Sequence, residues 1–199
     1  FMKGSELRLI EYMEGSKKRF IIPVYQRNYD WKIENCKQLY DDLIQVIKNN
    51  SKTHFFGSIV SVYEPSGRNT EFLIIDGQQR LTTMSLLFLA MYNLLEEKII
   101  ISEDESLKDQ IYEDFLVDKY QPQEKRMKLK PIKNDQKAFS KLFNSKDDYI
   151  KDSNLTINYS YFYERIQKQE ITIDELFDAI CRLEIINITL NNEDNPQLI

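Results

Sequence analysis

Histidine, cysteine and glycine are scarce in this sequence, and each scarcity closes off a class of chemistry. One histidine (His54) and two cysteines 145 positions apart (Cys36 and Cys181) leave no spacing for a common zinc site and no disulfide framework. Both cysteines fall among apolar residues at helical spacing and read as reduced core thiols. Five glycines and five prolines in 199 residues leave little room for flexible linker. No apolar run is long enough to span a membrane. The most apolar stretch, Leu81 to Leu95, is broken by Thr82, Thr83, Ser85 and Asn93 and reads as a central core helix. No cleavable signal peptide is visible, so a cytoplasmic protein is expected. A Gly-x-x-x-x-Gly-Lys-Ser/Thr loop is also missing, which excludes that route to phosphate binding.

What is present is an ordinary globular composition, 42% hydrophobic and 30% charged, enough for one large or two small domains. The net charge of −5 argues against a general polyanion binder. The balance is uneven, however. Residues 1–40 hold eight Lys/Arg against five Asp/Glu, and residues 171–199 hold one against six. Solvated surfaces are the ordinary cause of such asymmetry, yet Lys17-Lys18-Arg19 and Arg27 leave a locally positive face available for phosphates.

The most informative stretch is Phe72-Leu-Ile-Ile-Asp-Gly-Gln-Gln-Arg-Leu-Thr82. Phe72 to Ile75 is a short β-branched run and reads as a buried strand, and the glycine-free stretch after it is long enough for a helix. Gly77 stands at the join, where a backbone without Cβ can turn sharply or admit a ligand closely. The first turn of a helix carries N–H groups with no intrahelical acceptor, and with the helix dipole they favour an anion. Arg80 in that turn is a mismatch unless something negative binds there. The bland alternative is an ordinary Asp-Gly turn with Arg80 in solvent.

The remaining elements follow from pattern. Ser5 to Met13 is expected as a helix capped by Ser5, with Leu7, Ile10 and Met13 on one face. Phe20 to Ile22 is a short strand, and the loop Val24 to Asp30 leads to a helix carrying Cys36, Leu39, Leu43 and Ile47, with Asp30 as its cap. His54 to Glu64 and Thr70 to Asp76 flank Pro65-Ser-Gly-Arg-Asn69 and read as a hairpin. After Ile101 the pattern turns to amphipathic helices. Leu107, Ile111 and Phe115 share one face. Arg126 to Lys130 is extended, and Asn134 or Asp135 caps a helix with Phe139, Leu142 and Phe143. The aromatics of Leu155 to Ile166 read as packing. Thr172-x-x-Glu175 is a capping box, and Ile185 to Leu190 is a last strand.

Three motifs in one order carry a resemblance: Ile22-Pro-Val-Tyr-Gln-Arg-Asn-Tyr-Asp-Trp31, His54-Phe-Phe-Gly-Ser-Ile-Val60 and Ile75-Asp-Gly-Gln-Gln-Arg-Leu-Thr-Thr83. The sequence resembles the N-terminal domain of GmrSD-type restriction enzymes, of the ParB/sulfiredoxin-like superfamily. That likeness implies an α+β fold with a small mixed ParB/sulfiredoxin-like sheet and helices, followed by a mostly α-helical subdomain. The expected division is a nucleotide-binding domain over 1–101, a helical subdomain over 102–183, and a strand over 184–199 returning to the core. The family pattern continues past Ile199, so the chain is expected to be a fragment.

The resemblance also implies nucleoside triphosphate binding and hydrolysis with Mg²⁺. Asp76, Gln78, Gln79 and Arg80 are the implied catalytic residues, and Asp76 the implied metal ligand. Gly77, Arg80, Gln26, Arg27, Tyr25 and His54 are the candidate nucleotide-binding residues. Arg80 offers phosphate a planar fork of donors, Asp76 suits a hydrated Mg²⁺, and a glutamine can orient water without deprotonating it. Tyr25, Tyr29 and Trp31 are candidates to stack on a base, with Trp31 reading equally as a helix anchor. His54 reads equally as a site donor or a structural residue. Sulfiredoxin-type chemistry is disfavoured because Gln78, not cysteine, follows Gly77. DNA is the expected partner through the full-length protein or a downstream nuclease domain. A nucleotide-gated or DNA-sensing switch without turnover remains the alternative.

Overall fold

The computed structural model describes residues 3–191. Six strands form one mixed sheet: β1 (Lys3–Arg8), β2 (Lys18–Ile21), β3 (His54–Ser66), β4 (Asn69–Asp76), β5 (Leu129–Lys130) and β6 (Leu183–Leu190). Their order is β1-β6-β3-β4-β2-β5. The helices are α1 (Leu9–Met13), α2 (Ile33–Lys48), α3 (Gln78–Glu96), α4 (Leu107–Ile111), α5 (Lys133–Lys141), α6 (Asn154–Gln167) and α7 (Ile173–Cys181). A π-helical turn over Tyr112–Leu116 continues α4. The fold is α+β with a mixed sheet, compatible with the expected ParB-like type. Residues 192–199, the end of the stretch expected as a returning strand, lie outside the described residues.

The centre of the sheet follows from local signals. β3 and β4 form the expected antiparallel hairpin, and Gly67 takes the positive φ (62°) its turn needs. β2 pairs parallel with β4, Ile21 opposite Leu73, so both strands end on the same edge. β6 runs parallel to β3. In α7, the Thr172 hydroxyl accepts from the Glu175 N–H, and the Glu175 carboxylate accepts from the Thr172 N–H, closing the capping box.

Four readings are corrected. Residues 3–8 are a strand, not the start of a helix from Ser5, because β1 pairs antiparallel with β6 from Lys3↔Thr189 to Arg8↔Glu184. The helical periodicity of Leu7, Ile10 and Met13 survives only as the short α1. α2 begins at Ile33, where Asn35 Oδ1 accepts from the Lys32 N–H, so Asp30 is not its cap. α5 begins at Lys133, and the Asp135 carboxylate instead accepts from the Tyr29 N–H at 2.8 Å. Of Arg126 to Lys130, only Leu129 and Lys130 form a strand, parallel to β2 at the sheet edge.

One hydrophobic cluster takes in Phe20, Ile59, Ile74 and Ile185 of the sheet with Leu86, Phe88, Phe162 and Leu176 of the helices. Residues past 101 therefore add two strands, β5 and β6, to the sheet and side chains to the same core. Phe88 stacks on Phe115 at 4.2 Å between ring centres, tying α3 to the π-helical turn. Arg165, over the Tyr40 ring, bonds Asp41 and Glu170 at 2.7 Å each and fastens α6 to α2.

Lys128 is 2% exposed, an unusual place for a lysine. Its ammonium donates to the carbonyls of Met13 and Gly15 at 2.6 Å, and to that of Asp114. Three acceptors match its three donors. Burial, with the nearby charge of Lys18, pushes its pKa down to about 7. The contact joins the turn after α1 to the π-helical turn. We expect Lys128→Met to strand these carbonyls and lower stability by about 2–4 kcal/mol, read as a lower urea midpoint in a protein that still folds.

Candidate functional site

The site is built where β4 becomes α3. Gly77 has φ 95° and heads the helix, its carbonyl accepting from the Leu81 N–H at 3.0 Å. A Cβ at this position would lie 2.8 Å from the Ser58 carbonyl oxygen and 3.2 Å from Ile59 Cα. Glycine is therefore required twice, by backbone conformation and by the close passage of β3. With no side chain at Gly77, the opening turn of α3 has no side-chain cap from that residue. Asp76, the last residue of β4, is exposed beside it.

The two glutamines that follow are buried, Gln78 8% and Gln79 6% exposed, and both turn toward the loop after β2. Gln79 spends its whole amide there: Oε1 accepts from the Asp30 N–H at 2.9 Å, and Nε2 donates to the Asn28 carbonyl at 3.2 Å. Gln78 Nε2 donates to Gln26 Oε1 at 3.0 Å, and Gln26 Nε2 donates to the Ile75 carbonyl at 2.9 Å. The Tyr25-Gln26-Arg27 loop and the Asp-Gly-Gln-Gln-Arg turn are thus in direct contact across 49 to 52 positions of sequence.

Arg80 goes the other way. A Cβ on Gly57 would lie 2.5 Å from Arg80 Nε and 2.8 Å from Cζ, so the guanidinium rests flat on that strand. Gly57 adjoins the register shift of β3 against β6, where Phe56 is passed over. The glycine of the His54-to-Val60 motif is therefore a seat for Arg80, a role the sequence reading did not find. A glycine inside an otherwise bulky strand was the available signal.

Arg27 is on the β2 side, exposed, with Nε 3.2 Å from the Asp30 carboxylate. It lines a recess with Gln78, Gln79 and Asp135 of only about 10 Å³, and Arg80 is not in its wall. The two cations flank the junction from opposite sides rather than meeting in that recess. Tyr25, 49% exposed, sits on the outer part of the loop. His54 opens β3, its N–H donating to the Arg182 carbonyl and its Nε2 3.6 Å from the Asp42 carboxylate of α2.

Tyr29 is an anchor and not a stacking platform. It is 6% exposed; its hydroxyl bonds Thr83 Oγ1 at 2.7 Å and accepts from Asn158 Nδ2 at 2.8 Å, and burial raises its pKa far above the ordinary range. Asn158 also donates to the Trp31 carbonyl at 2.8 Å. Asp135 and Asn158, both from beyond residue 101, thus hold the loop from outside the sheet. Sequence reasoning did not connect either residue to the site.

The family model described as GmrSD restriction endonuclease, N-terminal domain, matches residues 9–199. The chain belongs to this family. The match takes in all three motifs and the helices after residue 101, so the supports supplied by Asp135 and Asn158 lie within the family's N-terminal domain. No curated protein matches the chain. Membership supports a role in a restriction system. Among the described residues no helix is long and apolar enough to cross a membrane.

Gln79 is expected to hold the loop closed in this GmrSD domain. Gln79→Ala removes two bonds, which at ~1 kcal/mol each corresponds to about thirtyfold easier local opening. Trypsin cleavage after the exposed Arg27 should quicken by about that factor while the global urea midpoint moves far less.

Proposed function

We propose that the junction of β4 and α3 binds and hydrolyses a nucleoside triphosphate, and that this turnover regulates restriction of DNA. The observation that carries the reading is the convergence of three distant motifs on one helix N-terminus: Gln26 on Gln78, Gly57 under Arg80, and Gly77 at the head of the helix. A helix N-terminus headed by glycine offers N–H groups and a favourable dipole to phosphate. Arg80, an otherwise unfavourable cation in that turn, supplies charge-assisted donors. Arg27 lies on the far side of the junction and reaches phosphate if its side chain leaves Asp30.

Roles divide by what each side chain has left to give. Gln79 has both amide atoms on the loop, so it positions rather than reacts. Gln78 has Oε1 available to orient a water. Tyr25 is an exposed ring next to Gln26, whose amide bonds Gln78 at the junction, and is assigned to the base. His54, held toward Asp42, is assigned to supporting the start of β3.

The residues fit a hydrated Mg²⁺ and not a protein cage. Among the described residues no three His, Cys, Asp or Glu side chains gather to hold a metal. Mg²⁺ commonly uses one or two carboxylates with substrate phosphates and water, and Asp76 would be that carboxylate. Bound there, the ion would neutralise charge on the phosphate oxygens.

One observation favours a second reading. Both glutamines are buried and bonded to the loop, which suits a nucleotide-gated latch without turnover. Phosphate release by the purified chain, measured for all four nucleoside triphosphates with Mg²⁺, separates the two. Binding without release supports the latch.

Arg80→Ala is expected to weaken triphosphate binding by about one to two decades, the ~1.5–3 kcal/mol of a charge-assisted contact, with an intact fold. Calorimetric titration showing unchanged affinity in the folded variant defeats the assignment. Asp76→Asn keeps shape and deletes charge, so Mg²⁺-dependent phosphate release should fall more than nucleotide affinity does. Equal release rates from the variant and the parent would reduce Asp76 to a turn residue.

A further inference from the structure

Although the chain is acidic, one of its grooves gathers cations. A groove of about 680 Å³ is walled by Arg19 of β2, Lys125, Lys130 of β5, and Lys133 and Lys137 of α5, with Glu124 its one carboxylate. The four lysines are exposed. Among the described residues, none of the five cations has a carboxylate within ion-pair distance. Arg19 is held on the wall by donating to the carbonyls of Met127 (3.3 Å) and Glu124 (3.5 Å).

Three further features give the groove a direction. Arg19 and Lys125 also line an adjoining recess with Lys17 and Lys18, opposed there by Glu71 and Asp118. Pro131 lines both the groove and the recess containing Arg27, Gln78 and Gln79. The groove therefore shares walls with recesses at the start of β2 and at the junction of β4 and α3, and the excess of cations is greatest in the groove itself. Lys133 and Lys137 stand one helical turn apart, a like-charge pair that costs stability unless an anion lies over it. Edge protection explains a lysine on β5, since lysines discourage strand pairing. It does not explain cations on α5 and β2 facing the same space.

We propose that this groove binds the phosphate backbone of duplex DNA without reading its bases. Most apolar members of the wall are withdrawn, Phe139 2% and Leu129 4% exposed with only Met127 half-buried, so no ring face is offered for base stacking. What remains at the surface is an excess of positive charge, five cations against Glu124, as phosphate contacts require. Membership in a restriction family does not say which surface meets DNA, and the groove does not depend on the nucleotide reading.

The test is fluorescence anisotropy of the whole chain with an end-labelled, unmodified duplex of about 30 base pairs, titrated at several salt concentrations. The triple variant Lys130→Glu/Lys133→Glu/Lys137→Glu should bind about tenfold or more weakly, with a salt slope lower by ~2–3, near 0.9 per lost phosphate contact. A matched variant, Lys48→Glu/Lys52→Glu/Lys168→Glu, changes net charge equally at exposed positions off the groove and should bind nearly as the parent does. Circular dichroism confirms that both variants fold. The proposal is overturned if the parent does not bind the duplex, if both triples lose affinity alike, or if a polyglutamate peptide of equal charge binds the groove more tightly than DNA. Nucleotide titration of the groove variant separates the two sites: retained nucleotide affinity with lost duplex binding assigns the loss to the groove, whatever the junction does.

Discussion

The burial of α3 is the constraint from which the other packing follows. Fourteen of its nineteen residues are buried, so it has no solvent face and must be covered all round. α6, α4 and the π-helical turn pack against it, within the cluster that includes the sheet. Its few polar side chains are satisfied inside that cover. Thr83 and Ser85 donate to carbonyls four residues back, Gln79 and Leu81, and Asn93 donates to the Tyr159 hydroxyl at 2.7 Å. A helix so enclosed cannot shift without opening the core, and its first turn is accordingly a rigid place to put a site. Gly77, wedged under the Ser58 carbonyl, fixes where that turn begins.

The loop after β2 is held by a different kind of force. Its main chain at Asn28 and Asp30 is bonded by one side chain, Gln79, and Tyr29 is driven into the core beside Asn158. The loop is therefore buried at one residue and exposed at its neighbours, with Val24 90% exposed and Arg27 outside. Such a segment can be released by breaking a few side-chain bonds while the tyrosine keeps its register. That is a suitable construction for a flap over a ligand, and it makes the helical half of the chain a structural partner of the site.

Charge and fold are arranged separately. The sheet edge at β5 and the neighbouring α5 present lysines to solvent, whereas buried Lys128, between them and the core, is spent on main-chain carbonyls. Adjacent lysines in one short stretch thus serve unlike purposes, and composition alone does not sort them.

Several features were determined by the sequence by itself. The β-branched run, Asp-Gly and apolar stretch specify strand, turn and core helix at 72–95. The hairpin around Gly67, the Thr172–Glu175 box and the run of motifs that marks the family are equally local. These are legible because backbone preference, capping and side-chain period act between neighbours. Tertiary structure decided the rest. Residues 3–8 become a strand because β6 offers an open edge about 180 positions away, which overrides their helical period. Gly57 matters because Arg80 lies on it, and Tyr29 leaves the candidate site because Thr83 bonds its hydroxyl and Asn158 donates to it. Each of these outcomes depends on which distant groups come into contact, and a close approach or a shared hydrogen bond leaves no period in the chain from which to read it.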